Sequence, residues 1–157
     1  ILKSNLERMG VPNAVVLNET PARIAAALPE FFDRVLVDAP CSGEGMFRKE
    51  PAALAQHCEA LVKQCAELGA DILDSAAAAL APGGELVYST CTIDPAENQK
   101  QIAAFLARHP EFTVVEPAAA LPAGMTAGEH GALSVPTRTG MDGFFLCAMQ
   151  KNGEKLQ

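Results

Sequence analysis

The sequence has no apolar run of the roughly 18 residues that a membrane-spanning helix needs. The apolar stretch from Ala76 to Ala81 is short and runs into Pro82-Gly83-Gly84. A secretory signal is missing too, because Ile1 to Arg8 puts no basic region ahead of an apolar core. None of the five cysteines, at 41, 58, 65, 91 and 147, forms a C-x-x-C pair, and their spacing suits no common zinc site, so no metal is expected. An odd number of cysteines without an export signal implies reduced thiols and a cytoplasmic location. Positive charge is scarce: 12 Lys and Arg stand against 19 Asp and Glu, for a net charge of −7. Phosphate contacts need Lys and Arg, so this balance counts against a surface that grips nucleic acid by charge alone, an objection that weakens if a further part of the protein carries the basic surface. There is no G-x-G-x-x-G fingerprint, internal repeat or low-complexity segment. The first residue is not Met, and the chain reads as a piece of a longer protein.

What is present suits a globular domain, with 49% hydrophobic and 20% charged residues. Asn5 to Met9 reads as a helix end with Gly10 as its cap. Val15 to Leu17 and Arg34 to Pro40 read as strands, and Pro21 to Leu28 as a short helix. Leu54, Cys58, Leu61, Cys65, Leu68 and Ile72 recur every three or four residues and predict one apolar stripe on a long helix. Pro82-Gly83-Gly84 ends that helix, and Glu85 to Ser89 forms the next strand. A helix then starts with Asp94 as cap, Pro95 at its first position and Glu97 reaching back as in a capping box. Its buried face is Ile102, Phe105 and Leu106, and His109-Pro110 closes it. Phe112 to Val115 and Phe144 to Met149 are two further strands, with a loop from Pro117 to Gly131. Strands alternating with helices predict an α/β fold with a mainly parallel sheet and an antiparallel edge.

Two strands end in chemistry. One runs into Asp38-Ala39-Pro40-Cys41-Ser42-Gly43-Glu44-Gly45, the other into Ser89-Thr90-Cys91-Thr92. Ligands in open α/β sheets sit at the carboxyl ends of strands. A helical crossover makes these two strands parallel neighbours, so Cys41, Cys91 and Asp38 should face one crevice. The bland alternatives are two packing cysteines or a disulfide. For Cys58, Cys65 and Cys147 a buried packing role is the expectation. Arg48-Lys49, after the glycine-rich loop, reads either as a solvated pair or as a phosphate contact.

At Val35 to Lys49, Leu86 to Thr92, Pro95-Ala96-Glu97-Asn98 and Gly140 to Phe145, in this order, the chain resembles the Sun-domain (Nol/Nop/Sun) family of RNA 5-methylcytosine methyltransferases. Glu44, Met46, Phe47, Arg48 and Lys49 give it the form of the bacterial, RsmF-like ribosomal RNA branch. The resemblance implies a Rossmann-like S-adenosylmethionine-dependent methyltransferase fold, of which residues 1–150 are the C-terminal part and 151–157 a tail, with the first two strands and the glycine-rich donor motif absent from the chain. It implies Cys91 as nucleophile, Cys41 as the cysteine that releases product, and Asp38 near donor and base. It further implies donor contacts at Asn18, Glu19, Asp38 and Pro40, and RNA contacts at Arg48, Lys49 and Arg138. The cofactor would be S-adenosyl-L-methionine and the partner RNA, ribosomal RNA above all. Where the family carries a Pro-His pair, this chain has Pro136-Thr137. Without the glycine-rich motif, the chain on its own is expected to bind the donor weakly or not at all.

The chemistry explains these residue types. Carbon-5 of cytosine is a poor nucleophile, and a thiolate adding to carbon-6 makes it enamine-like, able to attack a sulfonium methyl. Two other classes compete. A Cys–His hydrolase would use His57, His109 or His130; neither His57, in the helical crossover, nor His109, at a helix end, has an orienting partner in the sequence. An RNA-interaction module or inactive piece is the non-enzymatic reading, which the charge of −7 counts against.

Overall fold

The structure, a computed structural model, describes residues 1–43, 59–116, 121, 123–135 and 142–153. Among these the helices are α1 (Leu2–Arg8), α2 (Pro21–Ala27), α3 (Glu59–Ala79) and α4 (Gln99–Arg108). The strands are β1 (Phe32–Asp38), β2 (Leu80–Thr90), β3 (Phe112–Val115), β4 (Thr126–Gly128), β5 (Gly131–Ser134) and β6 (Phe144–Lys151). They form one sheet in the order β1-β2-β6-β5-β4, with β3 also paired to β6. The α/β class follows directly, with no described helix long and apolar enough to cross a membrane.

β1 and β2 are parallel, with Val37 opposite Tyr88 and Asp38 opposite Ser89. That is the pairing a helical crossover demands. The antiparallel element spans β3 to β6, and β6 runs antiparallel to β2 with Thr90 opposite Phe145. β4 and β5 lie in and just beyond the segment expected to be a loop. Ala, Gly and Thr give them little hydrophobic alternation, and β4 is fully exposed, so period-2 patterning had nothing to register.

Three further expectations are corrected. Val15 to Leu17 forms no strand; these residues have no regular secondary structure and are exposed, Val15 at 85%. A strand needs a neighbour to take its backbone hydrogen bonds, and none of the described strands pairs there. Pro82-Gly83-Gly84 lies inside β2 rather than before it. The β1–β2 register jumps from Phe32↔Leu80 to Arg34↔Glu85, so the Pro-Gly-Gly stretch bulges out of the ladder. The Lys151 Nζ fills the space at the end of α3, donating to the carbonyls of Ala77 at 3.0 Å and Leu80 at 2.8 Å, where a cation suits the helix C-terminus. Finally, the buried stripe of α3 is rotated from the one expected: Cys65, Gly69, Leu73, Ala76 and Ala77 are buried, while Leu68 is 46% exposed. Small residues let this helix sit close to the sheet. A Cβ on Gly69 would meet the Gln101 Nε2 at 3.0 Å and the Tyr88 hydroxyl at 3.3 Å.

The core between α3, α4 and the sheet holds Leu73, Leu80, Leu86, Tyr88, Ile102, Phe105, Phe145 and Met149, all essentially without solvent contact. Burying each such side chain is worth about 1.5–3 kcal/mol. This packing fixes β2, the strand that carries Cys91 at its end.

Candidate active site

Because Asp38 faces Ser89 across the parallel ladder, the chain leaves β1 and β2 at the same edge of the sheet. The Ala39 N–H continues the ladder to the Ser89 carbonyl at 2.9 Å, which carries the first loop toward the second. The sulfurs of Cys41 and Cys91 then lie 2.8 Å apart, both partly exposed and both free thiols. The Cys91 backbone N–H also donates to the Cys41 sulfur at 3.3 Å. Gly43 turns the loop with φ +77°, a left-handed conformation that favours glycine, and its N–H adds another donor to Cys41.

These donors decide where negative charge sits. The S–H of Cys91 pointing at Cys41, with the backbone N–H groups of Cys91 and Gly43, outweighs burial and lowers the Cys41 thiol to about 7. Cys91 is pushed far up, first because its proton is held by Cys41 and then by burial. The pair thus behaves as one unit that gives up a first proton readily and holds the second. A thiolate near neutral pH is a nucleophile and a base. The Asp38 carboxylate stands on the same rim, exposed, accepting from the Ser89 hydroxyl at 3.4 Å. Neither thiol of the pair bonds a histidine among the described residues.

Beneath the thiols lies a polar network that sequence reasoning missed. Ser42, Thr90, Thr92, Glu97 and Asn98 are all buried, with Thr90, Thr92 and Asn98 at 0% exposure. Glu97 Oε2 accepts from the Ser42 N–H at 2.9 Å. The hydroxyls of Ser42 and Thr92 are 3.1 Å apart. Asn98 accepts from the Thr90 hydroxyl at 2.6 Å and donates to the Thr92 carbonyl at 2.9 Å. The capping-box reading of Glu97 is therefore corrected. α4 starts only at Gln99, and the Glu97 carboxylate reaches the Cys41 loop instead of the helix start. Asp94 still works locally, its carboxylate accepting from the Ala96 N–H at 2.7 Å.

The description "16S rRNA methyltransferase RsmB/F" matches residues 1–150. The chain belongs to this family. Ribosomal RNA small subunit methyltransferase F of Cronobacter sakazakii (strain ATCC BAA-894) is 42% identical over 154 residues, 96% of this chain and 32% of that protein. The methyltransferase F of Serratia proteamaculans (strain 568) is 40% identical over 97% of this chain and 32% of its own length. The chain thus spans about a third of the curated relatives it matches. Among solved structures, PH0851 superposes with TM-score 0.87 at 33% identity, covering 96% of this chain and 34% of that one. NSun6 from Pyrococcus horikoshii, solved with SFG, gives TM-score 0.81 at 23% identity over 98% of this chain and 38% of that one, a likeness of fold alone.

Cys41, Cys91 and Asp38 come together at one rim. Pro40 is exposed there. Asn18 and Glu19 lie in the exposed segment before α2, where Glu19 pairs with Arg23 at 2.9 Å. A cleft of about 470 Å³ runs along the outer edge of β1, between α2 and α3, with Asp38 at one end. It is lined mainly by β1, Ile24 and Ile72 and does not include the cysteines. Arg48, Lys49 and Arg138 lie outside the described residues, as do Cys58 and His57. Cys65 and Cys147 are buried as expected, and burial drives Cys147 up to about 12, out of reach of thiolate chemistry. His109 is held between Asp74 at 2.9 Å and Glu111 at 3.1 Å. β6 pairs Phe112 near its Lys151 end and Thr90 near its Phe145 end, which puts His109 at the far end of the sheet from Cys91.

Proposed function

We propose that the intact protein is an RNA cytosine-5 methyltransferase acting on ribosomal RNA, with Cys91 as nucleophile, Cys41 as its acid–base partner and Asp38 holding the target base. The single observation that carries this reading is the 2.8 Å contact between two free thiols at the carboxyl edge of parallel strands. Family membership and the methyltransferase F relatives support ribosomal RNA as the substrate class.

Asp38, at the end of the β1 cleft, and the exposed Pro40 two residues on fit a methyl-donor contact, and Asn18 and Glu19 stand just before Pro21, which lines the same cleft. S-adenosyl-L-methionine, when bound, would supply an electrophilic methyl group. The chain's own residues do the rest. Cys41, the readier thiolate of the pair, takes the Cys91 proton across the 2.8 Å contact. The Cys91 sulfur then forms a bond to carbon-6 of cytosine, and the electron pair of the 5,6-double bond becomes available at carbon-5 to accept the methyl. Asp38 holds the ring on the polar edge. The proton on Cys41 passes to solvent, and the restored thiolate removes the carbon-5 proton. The electrons of that C–H bond rebuild the double bond and expel the Cys91 sulfur, so one proton is released per methyl transferred.

The non-enzymatic reading, an RNA-interaction module, leaves the paired thiols unused. Methyl incorporation into small-subunit ribosomal RNA from a labelled donor separates the two. The intact protein should label the RNA and its Cys91→Ala variant should not. Equal labelling by both would end the proposal.

A further inference from the structure

We propose that Glu97 and Asn98 are positioning residues: they lock the Cys41 loop onto the Cys91 loop and so set the distance between the two thiols. The proposal rests on the methyltransferase reading for its consequence, but its geometry stands by itself.

The two loops come from strands far apart in sequence, and β1–β2 pairing ends at Asp38↔Ser89. Beyond the bond from the Ala39 N–H to the Ser89 carbonyl, no described ladder bond fixes Cys41 relative to Cys91, and only the thiol contact and the bond from the Cys91 N–H to the Cys41 sulfur tie them directly. The turn at 95–98 supplies the tie. Glu97 reaches the first loop through the Ser42 N–H at 2.9 Å. Asn98 clamps the second from both sides of Cys91, taking the Thr90 hydroxyl and donating to the Thr92 carbonyl. Ser42 and Thr92 close the circuit through their hydroxyls at 3.1 Å. The Tyr88 hydroxyl donates to the Glu97 carbonyl at 2.8 Å, which anchors the turn to the core. A carboxylate at 1% exposure is costly to bury unless it is bonded, so its retention beside the thiols calls for a reason. Its charge opposes a thiolate on Cys41. Glu97 is thus placed for its hydrogen bond despite its charge.

That opposition makes the test discriminating. Cys41 alkylation by iodoacetamide is followed against pH in the intact protein, with no RNA present. The wild type should inflect near 7. Glu97→Gln keeps an acceptor for Ser42 and removes the charge, so its inflection should stay or fall. Glu97→Ala frees the loop, and its inflection should rise toward the ordinary 9.0. A pure charge effect would move both variants down together. In methylation assays Glu97→Ala should lose about 100-fold in kcat with KM nearly unchanged, and Glu97→Gln should restore most of it. Should Glu97→Ala fail to fold, Thr92→Val removes the hydroxyl link with little change of shape and should raise the inflection in the same direction. An unchanged inflection in Thr92→Val or Glu97→Ala, or a Glu97→Gln as inactive as Glu97→Ala, overturns the proposal. Methylation that survives loss of Cys91 would instead overturn Cys91 as the nucleophile, leaving the alkylation result to judge the loop lock.

Discussion

Replacing Cys91 by Ala removes the largest influence on Cys41, the hydrogen bond from its S–H. What remains is burial and the Glu97 charge, which raise the thiol, against the N–H donors of residues 91 and 43, which lower it. The Cys41 inflection should therefore climb from about 7 toward or past the ordinary 9.0. At pH near 7.5 the thiolate fraction then falls from about three quarters to about 3%. A higher-pKa thiolate is intrinsically more nucleophilic, by about 8-fold over two units, so the rate at one pH drops only about 3-fold. The position of the inflection, rather than any single rate, is the diagnostic. Alkylation with iodoacetamide, quenched at intervals and read on the Cys41 peptide by mass spectrometry, gives that position. If the variant still inflects near 7, the Cys91 thiol does not control its neighbour, and the coupled-pair account is refuted.

Two predictions concern the frame. Phe105 is fully buried against Phe112, with ring centroids 5.1 Å apart, and Phe105→Ala should cost about 3–5 kcal/mol in urea unfolding; a loss under about 1 kcal/mol would show that α4 does not anchor the sheet. Asp74 accepts from Arg108 at 3.0 Å and from His109 at 2.9 Å. Its carboxyl is lowered against the pull of burial, chiefly by the Arg108 and His109 hydrogen bonds. A folded-state value below the unfolded 3.8 means the stabilisation is complete above that pH and fades as pH falls through the lowered value. Asp74→Asn should thus flatten the acid limb of the stability profile, with only about 0.5–1 kcal/mol lost at neutral pH because the pair is partly exposed; an unchanged acid limb would contradict it.

Much of the site was legible because it sits where two strong local signals end. Val35 to Val37 and Leu86 to Val87 are apolar runs that stop in polar loops, and strand–helix–strand order makes them parallel neighbours with a common edge. The network below them was not legible, since Glu97 after Asp94-Pro95 has the spacing of a capping box and only tertiary structure shows that its carboxylate turns toward Ser42. Leu68 failed for a related reason: helical periodicity finds an apolar stripe, but Gly69 and the alanines decide which side can approach the sheet closely. β4 and β5 escaped because small residues on an exposed hairpin carry no alternation.

The roles given to the two sulfurs are tested most directly by trapping the reaction midway. Intact Cys41→Ala protein, incubated with small-subunit ribosomal RNA and methyl donor, should accumulate a covalent protein–RNA adduct, retarded on a denaturing gel and mapped by mass spectrometry to Cys91. Cys91→Ala protein should form none. An adduct mapped to Cys41, or the same behaviour from both variants, would contradict the account.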